Sequence, residues 1–101
     1  MSDRIKDKNV DFMFEAVLSL QTMEECYAFF EDVCTIREIQ DMAQRFDVAM
    51  MLEKGYSCQR ISEETSISTA TICRVRKCLN YGGGGYINAI EKLKQAEKRN
   101  K

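Results

Sequence analysis

The sequence predicts an all-α protein of about six helices organised around a helix-turn-helix. Three observations predict it. Apolar residues recur at helical spacing along most of the 101 residues, and the period-two alternation of a half-buried strand is missing. Residues suited to starting helices stand ahead of those runs at Thr22, Thr35, Ser57 and Ser68, where a side-chain oxygen accepts from backbone N–H groups that lack a partner. Finally, SCQRISEETSISTATICRVRKC, residues 57–78, reads as a short helix, a tight turn and a second helix.

Taken in order, residues 1–9 are polar and expected to be frayed. Val10 to Leu20 forms the first helix, with Val10, Phe14, Val17 and Leu18 on one face and Phe12 and Ala16 widening the stripe. Gln21 is a hinge. Thr22 and Glu25 then have capping-box spacing and open a second helix over about residues 23–33, with Met23, Cys26, Tyr27, Phe30 and Val33 at helical intervals. Thr35 and Glu38 form a second capping box, which opens a long helix running to about Lys54. Ile39, Met42, Ala43, Phe46, Ala49 and Met50 make one stripe of that helix, Val48, Met51 and Leu52 another, and Gly55 ends it.

Within residues 57–78 the apolar positions are Ile61, Ile67, Ile72 and Val75, the pattern by which two short helices bury one face across a turn. Ser62 is small where the backbones approach, and Thr65 and Ser66 break the helical run, although glycine would suit the turn better than Ser66 does. Gly82 to Gly85 reads as a flexible connector; neither a preceding strand nor a following Lys-Ser/Thr makes it a phosphate loop. Ile87, Ile90 and Leu93 mark a last amphipathic helix that dissolves into a basic tail. The organisation expected is a single domain over 1–101, with dimerisation helices in 1–55, the helix-turn-helix in 56–79 and the connector with its C-terminal helix in 80–101.

Composition narrows the function. Apolar residues are 45% and charged residues 31%, a globular balance, and no run reaches the roughly 18 apolar residues of a membrane helix. MSDRIKDKN has no apolar signal-peptide core, so a cytoplasmic protein without membrane partners is expected. Five cysteines, none in a C-x-x-C pair, and no histidine argue for free thiols and against a metal site. The lack of histidine also removes the commonest general base, so no catalytic residue is assigned and an enzyme is not expected. Residues 1–55 carry 12 acidic and 6 basic side chains, a net −6, and residues 56–101 carry 4 and 9, a net +5, which together return the overall −1. The basic half contains the helix-turn-helix, which suits a polyanionic partner, while the near-neutral total excludes a sequence-indifferent DNA coat. Mutual attraction of the two halves would explain the same split. Helices apolar on two faces exceed what a core of this size can hide, so a homodimer through the N-terminal helices is expected.

Two stretches carry a resemblance: TIREIQDMAQR, and LEKGYSCQRISEETSISTATICRVRKCLNYGGGGY with its STATICRV core. Over roughly residues 34–90 the chain resembles the Trp-repressor-like family, in its YerC/YecD-type branch of bacterial regulators. The resemblance implies a six-helix subunit in an intertwined homodimer, with paired helix-turn-helix units reading a palindromic operator on double-stranded DNA; a transcriptional regulator acting as a repressor is expected. It also implies an effector pocket at Thr35, Arg45 and Arg74, the positions that in the family hold L-tryptophan. Val75 stands where the family has a pocket glycine, Ile36 where it has proline and Cys34 where it has leucine. Tryptophan is therefore disfavoured, and a different small effector or none is expected. Arg45 paired to a carboxylate and Arg74 on a phosphate are the simpler roles.

For DNA contact, Gln59 and Arg60 at the start of the first motif helix are expected on phosphates. Ser68, Thr69, Ala70 and Thr71 at the start of the second are expected at base edges, where threonine and alanine can meet a thymine methyl. Arg74, Arg76 and Lys77 would add phosphate contacts or line a pocket. The alternative is an interaction module whose helix-turn-helix packs on a protein partner of a transcription complex.

Overall fold

The computed structural model describes the backbone of residues 7–99 and the side chains of residues 7–97. The described chain contains six helices: α1 (Lys8–Leu18), α2 (Met23–Val33), α3 (Ile36–Glu53), α4 (Cys58–Thr65), α5 (Thr69–Tyr81) and α6 (Gly85–Arg99). It divides into two compact units, one ending at Asp41 and the next starting at Met42, so the division falls within α3.

In the first unit the sequence signals set the helix starts. Thr22 accepts from the Glu25 N–H at 3.0 Å, one half of the expected capping box. Thr35 and Glu38 complete theirs: the Glu38 N–H donates to Thr35 Oγ1 at 3.1 Å and the Thr35 N–H donates to Glu38 Oε1 at 2.8 Å. The Thr35 N–H, and to a lesser degree the Thr35 hydroxyl, hold the Glu38 carboxyl below its usual range. The start of α1 departs from expectation. Asp7 caps it by accepting from the Val10 N–H at 2.8 Å, so residues 7–9 are cap and first turn, not frayed chain, while residues 1–6 lie outside the described residues. The helix also ends at Leu18, two residues before Leu20. Neither α1 nor α2 has a buried residue. Phe12, Leu18, Met23, Tyr27 and Ile36 are 63–84% exposed, and Met23, Cys26, Tyr27, Phe30 and Ile39 line an apolar trough of about 230 Å³.

The second unit holds the buried core. Val48 and Ala49 of α3, Ile61 of α4, Ile67 of the turn, Ile72 and Val75 of α5 and Ile90 of α6 form one cluster, every member 8% exposed or less. Phe46, Met50, Met51, Leu52, Leu79 and Tyr86 pack around it. All four positions expected to seal the two motif helices are in that core. The α5 helix runs on to Tyr81, so the glycine segment is a three-residue turn, with Gly85 already inside α6. Gly82 is required by packing: a Cβ there would collide with the Cys78 carbonyl oxygen.

Candidate nucleic-acid interface

The local chemistry of the helix-turn-helix begins at its caps. Ser57 accepts from the Arg60 N–H at 3.1 Å and starts α4; Ser68 accepts from the Thr71 N–H at 3.2 Å and starts α5. Between them Ser66 turns the chain with φ of +62°, the left-handed conformation that glycine adopts at less cost. Three further hydrogen bonds lock the turn: Thr65 Oγ1 donates to the Ile61 carbonyl and accepts from the Ile67 N–H, and Ser62 Oγ donates to the Ile67 carbonyl at 3.1 Å. Ile61, Ile67, Ile72 and Val75 then hold α5 against α4 with one face covered.

The other face of α5 is open. Thr69, Ala70, Cys73, Arg74 and Lys77 are all exposed, and Tyr81 at its end is 84% exposed. The 3.6-residue period places Ala70, Cys73, Arg74, Lys77 and Tyr81 along one outward line. With exposed Thr69 beside its start, this line presents small side chains first and cations further along, a surface suited to base edges flanked by phosphates. Of the four residues expected at base edges, Ser68 and Thr71 are already engaged, since the Ser68 hydroxyl caps the helix and donates to Thr71 Oγ1 at 3.0 Å. Thr69 and Ala70 are the pair with no such local task among the described contacts.

The two residues expected on phosphates carry local partners of their own. Gln59 Nε2 donates to Glu63 Oε1 at 3.2 Å, and Arg60 Nε donates to Glu64 Oε1 at 3.1 Å, both one turn along α4. The Arg60 guanidinium also lies over the Tyr56 ring, 4.0 Å from its centroid. The Glu64 hydrogen bond and charge, followed by Tyr56, push the Arg60 pKa further up, so it is a permanent cation. Arg76 is placed differently from Arg74: with Glu53, Tyr56, Ser57, Cys58 and Asn80 it lines a cavity of about 320 Å³ where the end of α3, the start of α4 and α5 meet.

Of the expected effector residues, Thr35 is exposed and belongs to the first unit, Arg45 is half-buried and Arg74 exposed in the second, and Val75 is 1% exposed in the core. Sequence reasoning missed Cys73 and Tyr81 on the outward line, and the carboxylates Glu63 and Glu64. The i, i+4 spacing of Gln59 with Glu63 and of Arg60 with Glu64 was the available signal for the last two. Among the described residues no group of three or more acidic, cysteine or histidine side chains could hold a metal ion, and no helix is long and apolar enough to cross a membrane.

A short capped helix, a left-handed turn and a second helix with a solvent-facing polar surface define a helix-turn-helix of the nucleic-acid-binding class. Comparison with known proteins agrees. A family model described as Trp repressor protein matches residues 8–94. The uncharacterized protein YerC of Bacillus subtilis is 50% identical over 95 residues, covering 94% of this chain and 91% of that protein. Among solved structures, a TrpR-like protein from Eubacterium eligens is similar with a TM-score of 0.85 and 48% identity, over 91% of this chain and 95% of that one. A candidate Trp repressor from Staphylococcus aureus has a TM-score of 0.85 and 39% identity, over 91% and 92%. The chain belongs to the Trp repressor family of helix-turn-helix DNA-binding regulators, which are not enzymes.

Proposed function

We propose that this chain acts as a homodimeric transcriptional repressor that reads a palindromic operator on double-stranded DNA with one α5 helix per half-site. The observation that carries this reading is the division of α5 into a face sealed by Ile72 and Val75 and an open face bearing Thr69, Ala70, Cys73, Arg74 and Lys77. Thr69 and Ala70 read base edges; Ser68 and Thr71 shape the helix start on which that reading depends. Gln59, Arg60, Arg74, Arg76 and Lys77 grip the phosphate backbone. For Arg76 that role is supported by its exposure on α5, beside a cavity that Ser57 and Asn80 also line and where Glu53 is the acidic member.

The dimer is supported by the first unit, whose two complete helices hold no fully buried residue while carrying Phe12, Phe14, Leu18, Met23 and Tyr27 exposed. In a two-fold dimer the recognition helices enter successive major grooves, about 34–36 Å apart. Regulation does not run through tryptophan in this reading: Val75 stands where the family has a pocket glycine and is packed into the core, and Thr35 is engaged in capping α3. The test is binding to DNA selected from random sequence, measured across salt with and without tryptophan. Affinity should fall with salt at a slope of about −0.9 per neutralised phosphate, unchanged by tryptophan. A salt-independent constant would remove the phosphate contacts. Failure to shift any DNA at low salt, alongside a stable protein complex, would favour the interaction-module alternative.

A further inference from the structure

Arg60 stands at the centre of an arrangement that the packing of the helix-turn-helix does not require. Its Nε donates to Glu64 Oε1 at 3.1 Å, its guanidinium lies 4.0 Å from the Tyr56 ring centroid, and the Arg60 and Glu64 side chains remain 55% and 48% exposed. A guanidinium carries five donors in one plane, and the Glu64 contact uses only Nε. Among the described residues no other acceptor holds the Arg60 side chain. The four terminal donors, the edge that matches a phosphate in bidentate fashion, are therefore left for a ligand while Glu64 and Tyr56 fix the plane.

We propose that Glu64 and Tyr56 are positioning residues that preset the Arg60 guanidinium for a backbone phosphate of bound DNA. The proposal rests on the reading of Arg60 as a phosphate contact. Two effects of Glu64 oppose one another. Its charge repels the phosphate, but at an exposed site this repulsion is weak and screened at physiological salt. Its hydrogen bond removes rotamer freedom that a long side chain would otherwise lose on binding, and a direct contact at 3.1 Å, well inside the Debye length of about 8 Å at physiological salt, is weakened there but kept. Positioning therefore prevails at physiological salt. Tyr56 acts in the same sense from beneath the plane, and it also lines the cavity that Arg76 lines.

The experiment measures DNA affinity and its salt slope by fluorescence anisotropy for the full chain and for Arg60→Ala, Glu64→Ala, Glu64→Gln, Tyr56→Leu and Tyr56→Phe, with urea midpoints confirming that each folds. Arg60→Ala should weaken binding and lower the salt slope by about one. Glu64→Ala should weaken binding about three- to fivefold at physiological salt, and Glu64→Gln, which keeps the acceptor, should bind at least as tightly as the unaltered protein. Tyr56→Leu should lose about two- to fivefold and Tyr56→Phe should restore it. In the Arg60→Ala background neither Glu64→Ala nor Tyr56→Leu should have further effect. If Arg60→Ala changes neither affinity nor slope, the phosphate reading fails. If Arg60→Ala weakens binding while Glu64→Ala binds as well as or better than the unaltered protein, the phosphate reading stands and the positioning role is overturned.

Discussion

Single residues divide into those that shape the motif and those that face outward, and substitutions separate the two. Ser68→Ala removes the cap on the Thr71 N–H and is expected to lower stability by about 1 kcal/mol in urea unfolding. Thr69→Ala, on the open side of the same helix start, should leave the urea midpoint in place and change which base pairs are preferred in a selected DNA pool. If both substitutions altered only stability, α5 would be a packing helix and not a reader. Ser66 offers a third test. Its left-handed φ of +62° is costly for a residue with a Cβ, so Ser66→Gly should stabilise the protein by about 0.5–1 kcal/mol, visible as a higher urea midpoint. The turn at Ser66 was legible in the sequence because hydroxylated residues interrupt the apolar period there, although Thr65, expected to break the run, is the last residue of α4. Cys73 was not legible, since a cysteine within a helix reads as a small apolar residue and carries no charge or hydroxyl to mark its face.

At the scale of the helix, capping and packing account for most of what the sequence foretold. The second, third and fourth helices start where their threonines and serine stand, because those oxygens satisfy N–H groups that the helix itself leaves open. The first helix was misplaced for a physical reason: its opening turn is polar, so its apolar period begins one turn after the Asp7 cap. Leu20, though apolar, falls beyond the end of that helix, because periodicity marks a face and not a terminus. The capping box of α3 carries a pH dependence. Glu38 has its folded pKa depressed, so its contribution to stability is fully present at neutral pH and is lost as pH falls through the folded value. Glu38→Gln should therefore flatten the acid-side decline of the urea midpoint as pH falls through and below the ordinary glutamate range, with little change in its shape above that range. Ile61→Ala, at a position with no exposure on α4, should cost about 2–5 kcal/mol and loosen the helix-turn-helix as a unit, read by urea unfolding.

At the scale of the molecule, the two compact units differ in what they bury. The second unit has a closed core, and its outward α5 surface lies in the basic part of the chain. The first unit is acidic, and its helices α1 and α2 hold no fully buried residue. The sequence pointed to this imbalance through helices apolar on more than one face, but it could not say which apolar residues would be left exposed, because burial depends on how helices meet. A second copy of the chain is the covering we propose for those residues. In sedimentation the protein is then expected at twice the chain mass, and Leu18→Glu, placing a charge at a side chain 84% exposed in the single chain, should shift it toward the monomer. Paired reading of DNA follows from that pairing of chains, and it is the claim on which the account depends. Selection of bound sequences from a random duplex pool tests it most directly: the account predicts an enriched palindrome whose half-sites lie about one helical turn apart, whereas recovery of unenriched sequence, or of a lone half-site without its mate, would contradict it.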